Sequence, residues 1–117
     1  MIEETKKIFH NEEINVTATC VRVPVLNSHS ESINVELEND FKIEDIYNLY
    51  KDSKGIILLD NPKDTLYPIN TLANDTDFVY VGRIRRDFSA KNSLNIWVVA
   101  DNIRKGAASN AVQILEI

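Results

Sequence analysis

The run from Ile14 to Val25 constrains the fold more than any other stretch, because its side chains alternate. Thr17, Thr19, Val21, Val23 and Val25 fall on one side, and Ile14, Val16, Ala18, Cys20 and Arg22 on the other. A repeat of two is what extended backbone imposes. With β-branched residues so frequent, the pattern predicts a long strand packed on both faces.

Further elements follow in order. Residues 3–10 carry charged helix formers ahead of Ile8 and Phe9 and read as the last turns of a helix that begins upstream of Met1. Residues 26–30 form a polar break. Alternation then resumes over 32–38, with Ile33, Val35 and Leu37 inward and Asn34, Glu36 and Glu38 outward. Asn39 or Asp40 can cap a helix whose Ile43, Ile46, Tyr47 and Tyr50 share one face. Glu44 and Asp45 suit its positive end, and Gly55 lies beyond its close.

Residues 56–59 are a short apolar run that fits a buried strand, closed by Asn61-Pro62. Residues 63–77 lack periodicity and are expected to be a loop with one brief extended piece near 67–70. Strands are expected over 78–86 and 94–100, and a last helix over about 102–116 with Asp101 as its cap. Strands joined by short connections, with helices gathered to one side, predict an α+β fold: a mixed, largely antiparallel β-sheet with helices on one face.

The 117 residues, 44% of them hydrophobic, suit a single domain with a real core. Lys plus Arg number 13 against 18 Asp plus Glu, a formal charge of -5, so nothing general attracts the chain to nucleic acid or an anionic membrane. No stretch approaches the ~20 apolar residues of a membrane span, and the first residues lack the apolar core of a signal peptide. A single cysteine, Cys20, agrees with a reducing compartment, so the expectation is a cytoplasmic protein in which the sequons at Asn15 and Asn74 are chance matches.

His29 is the first candidate for chemistry, because an imidazole titrates near neutral pH and can carry protons. It falls in the polar break between two strand runs; the plainer reading is a solvated loop histidine. Arg22, on an otherwise apolar strand, must find an anion or reach solvent. A structural ion pair and a bidentate clamp on a substrate carboxylate are both open. Cys20 reads as a small buried hydrophobe and not as a nucleophile.

Arg83 and Arg85 share one strand face and Arg86 the other, which suits a solvated or interface edge better than a nucleic-acid stripe. Three glycines offer no phosphate cradle, and His10 and His29 are too few and too far apart for a metal site.

The segment Cys20-Val21-Arg22-Val23-Pro24-Val25-Leu26-Asn27-Ser28-His29-Ser30-Glu31 resembles the signature of aspartate-semialdehyde dehydrogenases, in which Cys, Arg, Pro and a small-residue-His-Ser/Thr run recur at this spacing. Glu4 to Ile8, Val81 to Asp87, and Trp97 to Ala108 fit the same family in order, most strongly its bacterial type. The resemblance implies the dimerisation domain, residues 1–117, with 101–117 the terminal helix that packs on a nucleotide-binding domain.

In that family an amino-terminal domain binds NADP and carries a cysteine that attacks aspartyl phosphate. Phosphate leaves, and hydride from NADPH releases the semialdehyde, on the route to lysine, threonine, methionine and isoleucine. By resemblance His29 matches the acid–base histidine, Arg22 the arginine that grips the substrate carboxylate, and Asn102 a nucleotide contact. The nucleophilic cysteine, the glycine-rich loop, and the acidic and lysine residues that precede the Glu-Thr-Lys-Lys segment have no counterpart here. Thr17 stands where smaller or amidic residues are commoner.

The expectation is therefore half a site: a homodimer-forming fragment of an oxidoreductase, inactive by itself and binding no NADP tightly. Its partners would be a second copy, the amino-terminal domain and the small substrate, not nucleic acid or membrane. The competing expectation is a free-standing α+β ligand-binding or regulatory dimer module, in which Arg22 and His29 are dispensable surface groups.

Overall fold

The computed structural model describes residues 1–116. It contains helix α1 (Ile2–Phe9), strand β1 (His29–Glu36), helix α2 (Ile43–Lys51) and strand β2 (Ile56–Leu58). A 3-10 turn (Pro62–Asp64) and the short helix α3 (Asn70–Ala73) lead to strands β3 (Val79–Asp87) and β4 (Ser93–Ala100). A π-helical turn (Arg104–Ala108) then runs directly into helix α4 (Ser109–Leu115). The sheet order is β1-β4-β3-β2. β4 pairs antiparallel with both β1 and β3, and β2 pairs parallel with β3. The mixed, largely antiparallel α+β sheet is the architecture the sequence predicts.

Pairing fixes which residues face the core. Ile33 lies opposite Ile96, Val35 opposite Leu94, and Val81 opposite Val98. Val81, Ile84, Leu94 and Ile96 are buried, and Ile43, Ile46, Tyr47 and Tyr50 of α2 pack against them with Ile33, Val35 and Leu37. Those four α2 residues are the ones whose spacing predicts a single apolar face. The other sheet face presents Ser30, Ser32, Asn34, Trp97 and Asn95. The loop before α3 covers part of it, where Trp97 Nε1 donates to the Pro68 carbonyl at 3.0 Å.

β3 carries a bulge. Gly82 pairs with Trp97 and Arg85 with Asn95, leaving Arg83 and Ile84 opposite Ile96. Arg83 takes φ 55, and the Ile84 amide, lost to the ladder, donates to Asp60 Oδ2 at 2.8 Å. Ile84 stays in the core while Arg83 and Arg85 are exposed, with the Arg83 guanidinium 5.9 Å from the Tyr67 ring. Arg86, on the side of α2, lies over Phe41 at 4.2 Å, pairs with Asp40 at 2.6 Å and donates to the Phe41 carbonyl.

Several expectations are corrected. Residues 11–28 form no strand; they run as an arm, and Val21, Val23, Val25, Leu26, Arg22 and Cys20 are all exposed. Alternation reports extended backbone, but a strand also needs a neighbour to exchange hydrogen bonds with, and among the described residues this arm pairs with none. Cys20 is accordingly no core residue. His29 does not sit in a break between strands but opens β1.

Neither Asn39 nor Asp40 caps α2, whose N-cap position is Lys42 with no side-chain bond, because Asp40 is turned toward Arg86. The loop over 63–77 is extended at Ile69, within the brief extended piece expected near 67–70, and beyond it holds the short helix α3, which begins at Asn70 and was not expected. The last helix starts with a π turn two residues later than expected; Ile117, the end of the 101–117 segment, lies outside the described residues.

Candidate active site around His29

The polar cluster at the head of β1 centres on Ser28, the residue just before His29. Ser28 is 2% exposed and sits at φ 69, in the left-handed region that a residue with a Cβ enters only at a cost. Side chains from two other parts of the chain hold both of its backbone polar groups. Its N–H donates to Asn102 Oδ1 at 3.0 Å, and its carbonyl accepts from Asn70 Nδ2 at 3.2 Å. The other end of the Asn70 carboxamide accepts from the Ser30 hydroxyl at 2.9 Å. One asparagine therefore ties down the residues on either side of His29.

His29 is exposed and pairs with Ala100, the last residue of β4. The chain then passes through Asp101, which is 4% exposed and holds the start of the π turn in place. Asp101 Oδ1 accepts from the amides of Ile103 at 2.8 Å and Arg104 at 2.9 Å, and Oδ2 accepts from the Asp75 amide at 2.9 Å. The Arg104 amide first, then that of Asp75, hold its carboxyl below the usual carboxylate range.

Arg104 grips Asp77 through both Nε, at 3.0 Å, and a terminal nitrogen, at 2.7 Å, which lowers the Asp77 pKa in turn. Asn102 is thus set between a fixed strand end and a pinned turn. Its Oδ1 is committed to Ser28, while its Nδ2, half-buried, makes no hydrogen bond among the described residues.

Of the three residues the sequence singles out, the structure joins His29 and Asn102 through Ser28. Arg22 lies on the exposed arm that leads into the same turn and makes no hydrogen bond or ion pair among the described residues. Of the two alternatives left open for Arg22, the structural ion pair is not made among the described residues. Sequence reasoning missed Asn70 and the role of Ser28. Nothing near Asn70 in sequence marks it, since its partners lie some forty residues away.

The chain as a whole has recognised relatives. Residues 1–105 match the family described as "Semialdehyde dehydrogenase, dimerisation domain", and the chain belongs to it. Among named relatives, it is 51% identical over 117 residues to the aspartate-semialdehyde dehydrogenase of Aquifex aeolicus, covering 100% of this chain and 34% of that protein. The enzyme of the same name from Bacillus subtilis is 49% identical, over 99% of this chain and 34% of that protein.

The crystal structure of aspartate semialdehyde dehydrogenase II from Vibrio cholerae complexed with ASA superposes with a TM-score of 0.93 at 44% identity, covering 99% of this chain and 34% of that one. The chain thus spans about a third of the length of the relatives it matches.

Proposed function

We propose that this chain is the carboxy-terminal part of an NADP-dependent aspartate-semialdehyde dehydrogenase, working in the cytoplasm on the route to lysine, threonine, methionine and isoleucine. It contributes the acid–base imidazole of His29, the substrate-binding guanidinium of Arg22 and the homodimer interface. The observation that carries the reading is the likeness, over 99% of this chain, to the Vibrio cholerae enzyme II complexed with ASA.

Each residue has a property that suits its role. The His29 ring is exposed between Ser28, whose carbonyl Asn70 holds, and Ser30, whose hydroxyl bonds the same side chain and whose backbone pairs with Val99, so it can take a proton from an adjacent thiol and return it at a ring nitrogen without the main chain shifting. Arg22, free of any carboxylate of the described residues, presents a planar fork that matches a substrate carboxylate. Asn102 Nδ2 is available to a nucleotide acceptor oxygen, and residues 101–117 would pack on the nucleotide-binding domain. NADPH, when bound, supplies the hydride. The nucleophile and the glycine-rich loop belong to the amino-terminal domain, so this chain alone turns nothing over and binds NADP weakly.

The test is reconstitution with an amino-terminal domain bearing the nucleophilic cysteine. Activity is expected for the pair and none for the chain alone. His29→Asn should lower kcat by about 10²–10⁴-fold, and Arg22→Ala should raise KM for the semialdehyde far more than it changes kcat. Wild-type turnover in the His29→Asn protein would overturn the assignment.

A further inference from the structure

We infer that Asn102 and Asn70 form a carboxamide clamp on Ser28 that positions His29, and that Asn102 is a positioning residue for the histidine besides any contact it makes with a nucleotide. The inference rests on the reading of His29 given above. Its structural half stands on hydrogen bonds alone.

A buried residue in the left-handed region is held by what surrounds it, since its local preference is for another conformation. Ser28 has no strand partner. Its amide would be left without an acceptor if Asn102 did not take it, and its carbonyl without a donor if Asn70 did not supply one. Its hydroxyl is buried and unpartnered among the described residues, so the side chain contributes no anchoring bond of its own. The conformation that launches His29 into β1 therefore depends on two carboxamides, one following β4 and one opening α3.

The two clamp arms differ in what they can exchange. Asn102 uses its oxygen on Ser28 and leaves its nitrogen without a partner among the described residues, so that nitrogen is the end free to meet a nucleotide acceptor oxygen. Asn70 is engaged at both ends, the nitrogen on Ser28 and the oxygen on Ser30, so neither end can turn to a ligand without disturbing a bond beside His29. A ligand that draws Asn102 Nδ2 toward itself also moves the acceptor that fixes the His29 turn. Nucleotide occupancy and histidine placement are linked through one side chain.

Variants of the two asparagines in the intact enzyme test this. Asn102→Asp keeps an acceptor for the Ser28 amide and loses the donor; Asn102→Ala loses both. With nucleotide saturating, Asn102→Ala and Asn70→Ala are expected to lower kcat on the order of 10–100-fold with little change in KM for the semialdehyde. Exchange of the Ser28 amide with solvent should quicken in Asn102→Ala and stay slow in Asn102→Asp.

Asn70→Ala guards against a variant of Asn102 that fails to fold, and melting curves identify such a failure. If Asn102→Ala changes only KM for the nucleotide, or if the Ser28 amide stays protected in it, the clamp is overturned. If instead His29→Asn keeps full turnover while Ser28 exchange behaves as stated, the reading of His29 fails and the clamp on Ser28 stands.

Discussion

The Tyr47 phenol donates to Asp60 Oδ2 at 2.6 Å, and the same oxygen accepts the Ile84 amide freed by the β3 bulge at 2.8 Å. One carboxylate thus connects the helix over the core to the irregular strand beneath it. Asp60→Ala would leave a phenol and a half-buried amide unpaired, which should cost about 1–3 kcal/mol of unfolding free energy. Tyr47→Phe removes only one of the two bonds and should cost less. Urea melts of the two variants check the order.

The same phenol makes stability fall in alkali. Burial first, and then the hydrogen bond and charge of Asp60, push the Tyr47 pKa from 10.0 up to about 12. The unfolded chain releases the proton at the lower value, so the contribution is complete below pH 10 and is lost as pH rises from 10 toward 12. Tyr47→Phe should flatten that part of the stability profile, measured as melting temperature against pH.

Asp101 acts at the opposite end of the scale. Its carboxyl is held below the ordinary value of 3.8 by backbone amides, those of Arg104 and Asp75 foremost. Its contribution is present above that pH and disappears as pH falls through the lowered value. Asp101→Ala should lower the melting temperature at neutral pH and lessen the remaining loss in acid. A variant whose acid limb matches the wild type would show that the stabilisation comes from elsewhere.

Gly82 has no room for a side chain. A Cβ there would stand 2.3 Å from the Leu59 carbonyl oxygen and 2.6 Å from Pro68 Cδ. Gly82→Ala must push the connection after β2 away from the sheet, costing about 1–3 kcal/mol or more. The shift should also disturb the bond from Trp97 to the Pro68 carbonyl, which tryptophan fluorescence can follow.

The arm offers the reverse case. Leu26 is 100% and Val21 74% exposed, so Leu26→Ser and Val21→Ser should leave the stability of this chain within about 0.5 kcal/mol while raising its solubility. A melting temperature that drops by many degrees in either variant would mean that these side chains are packed in solution.

How much of this was legible depends on the kind of signal. The period-two run at Ile33, Val35 and Leu37 gave its strand, and helical spacing gave the α2 face, because one-sided burial writes itself into local pattern. The arm deceived for the same reason: Val21, Val23 and Val25 alternate as a strand would, and only the absence of a pairing edge sets them apart.

Asp40 shows a second limit, since a good capping residue next to a helix was drawn off by a distant arginine. At the candidate site, His29 and Asn102 could be named from a family pattern. Asn70 could not, because its role arises only when α3 is brought beside the head of β1.

The pairing of His29 with Ala100 reaches across most of the polypeptide. Closing so long a loop is slow compared with forming the local helices and the β3–β4 hairpin. On the ribosome, β1 leaves the exit tunnel well before the strand it needs, and it must wait with its apolar side unprotected until β4 follows. The His29 end of the sheet is consequently among the last parts to be built, and a nascent chain released before Ala100 would lack the strand that orders His29.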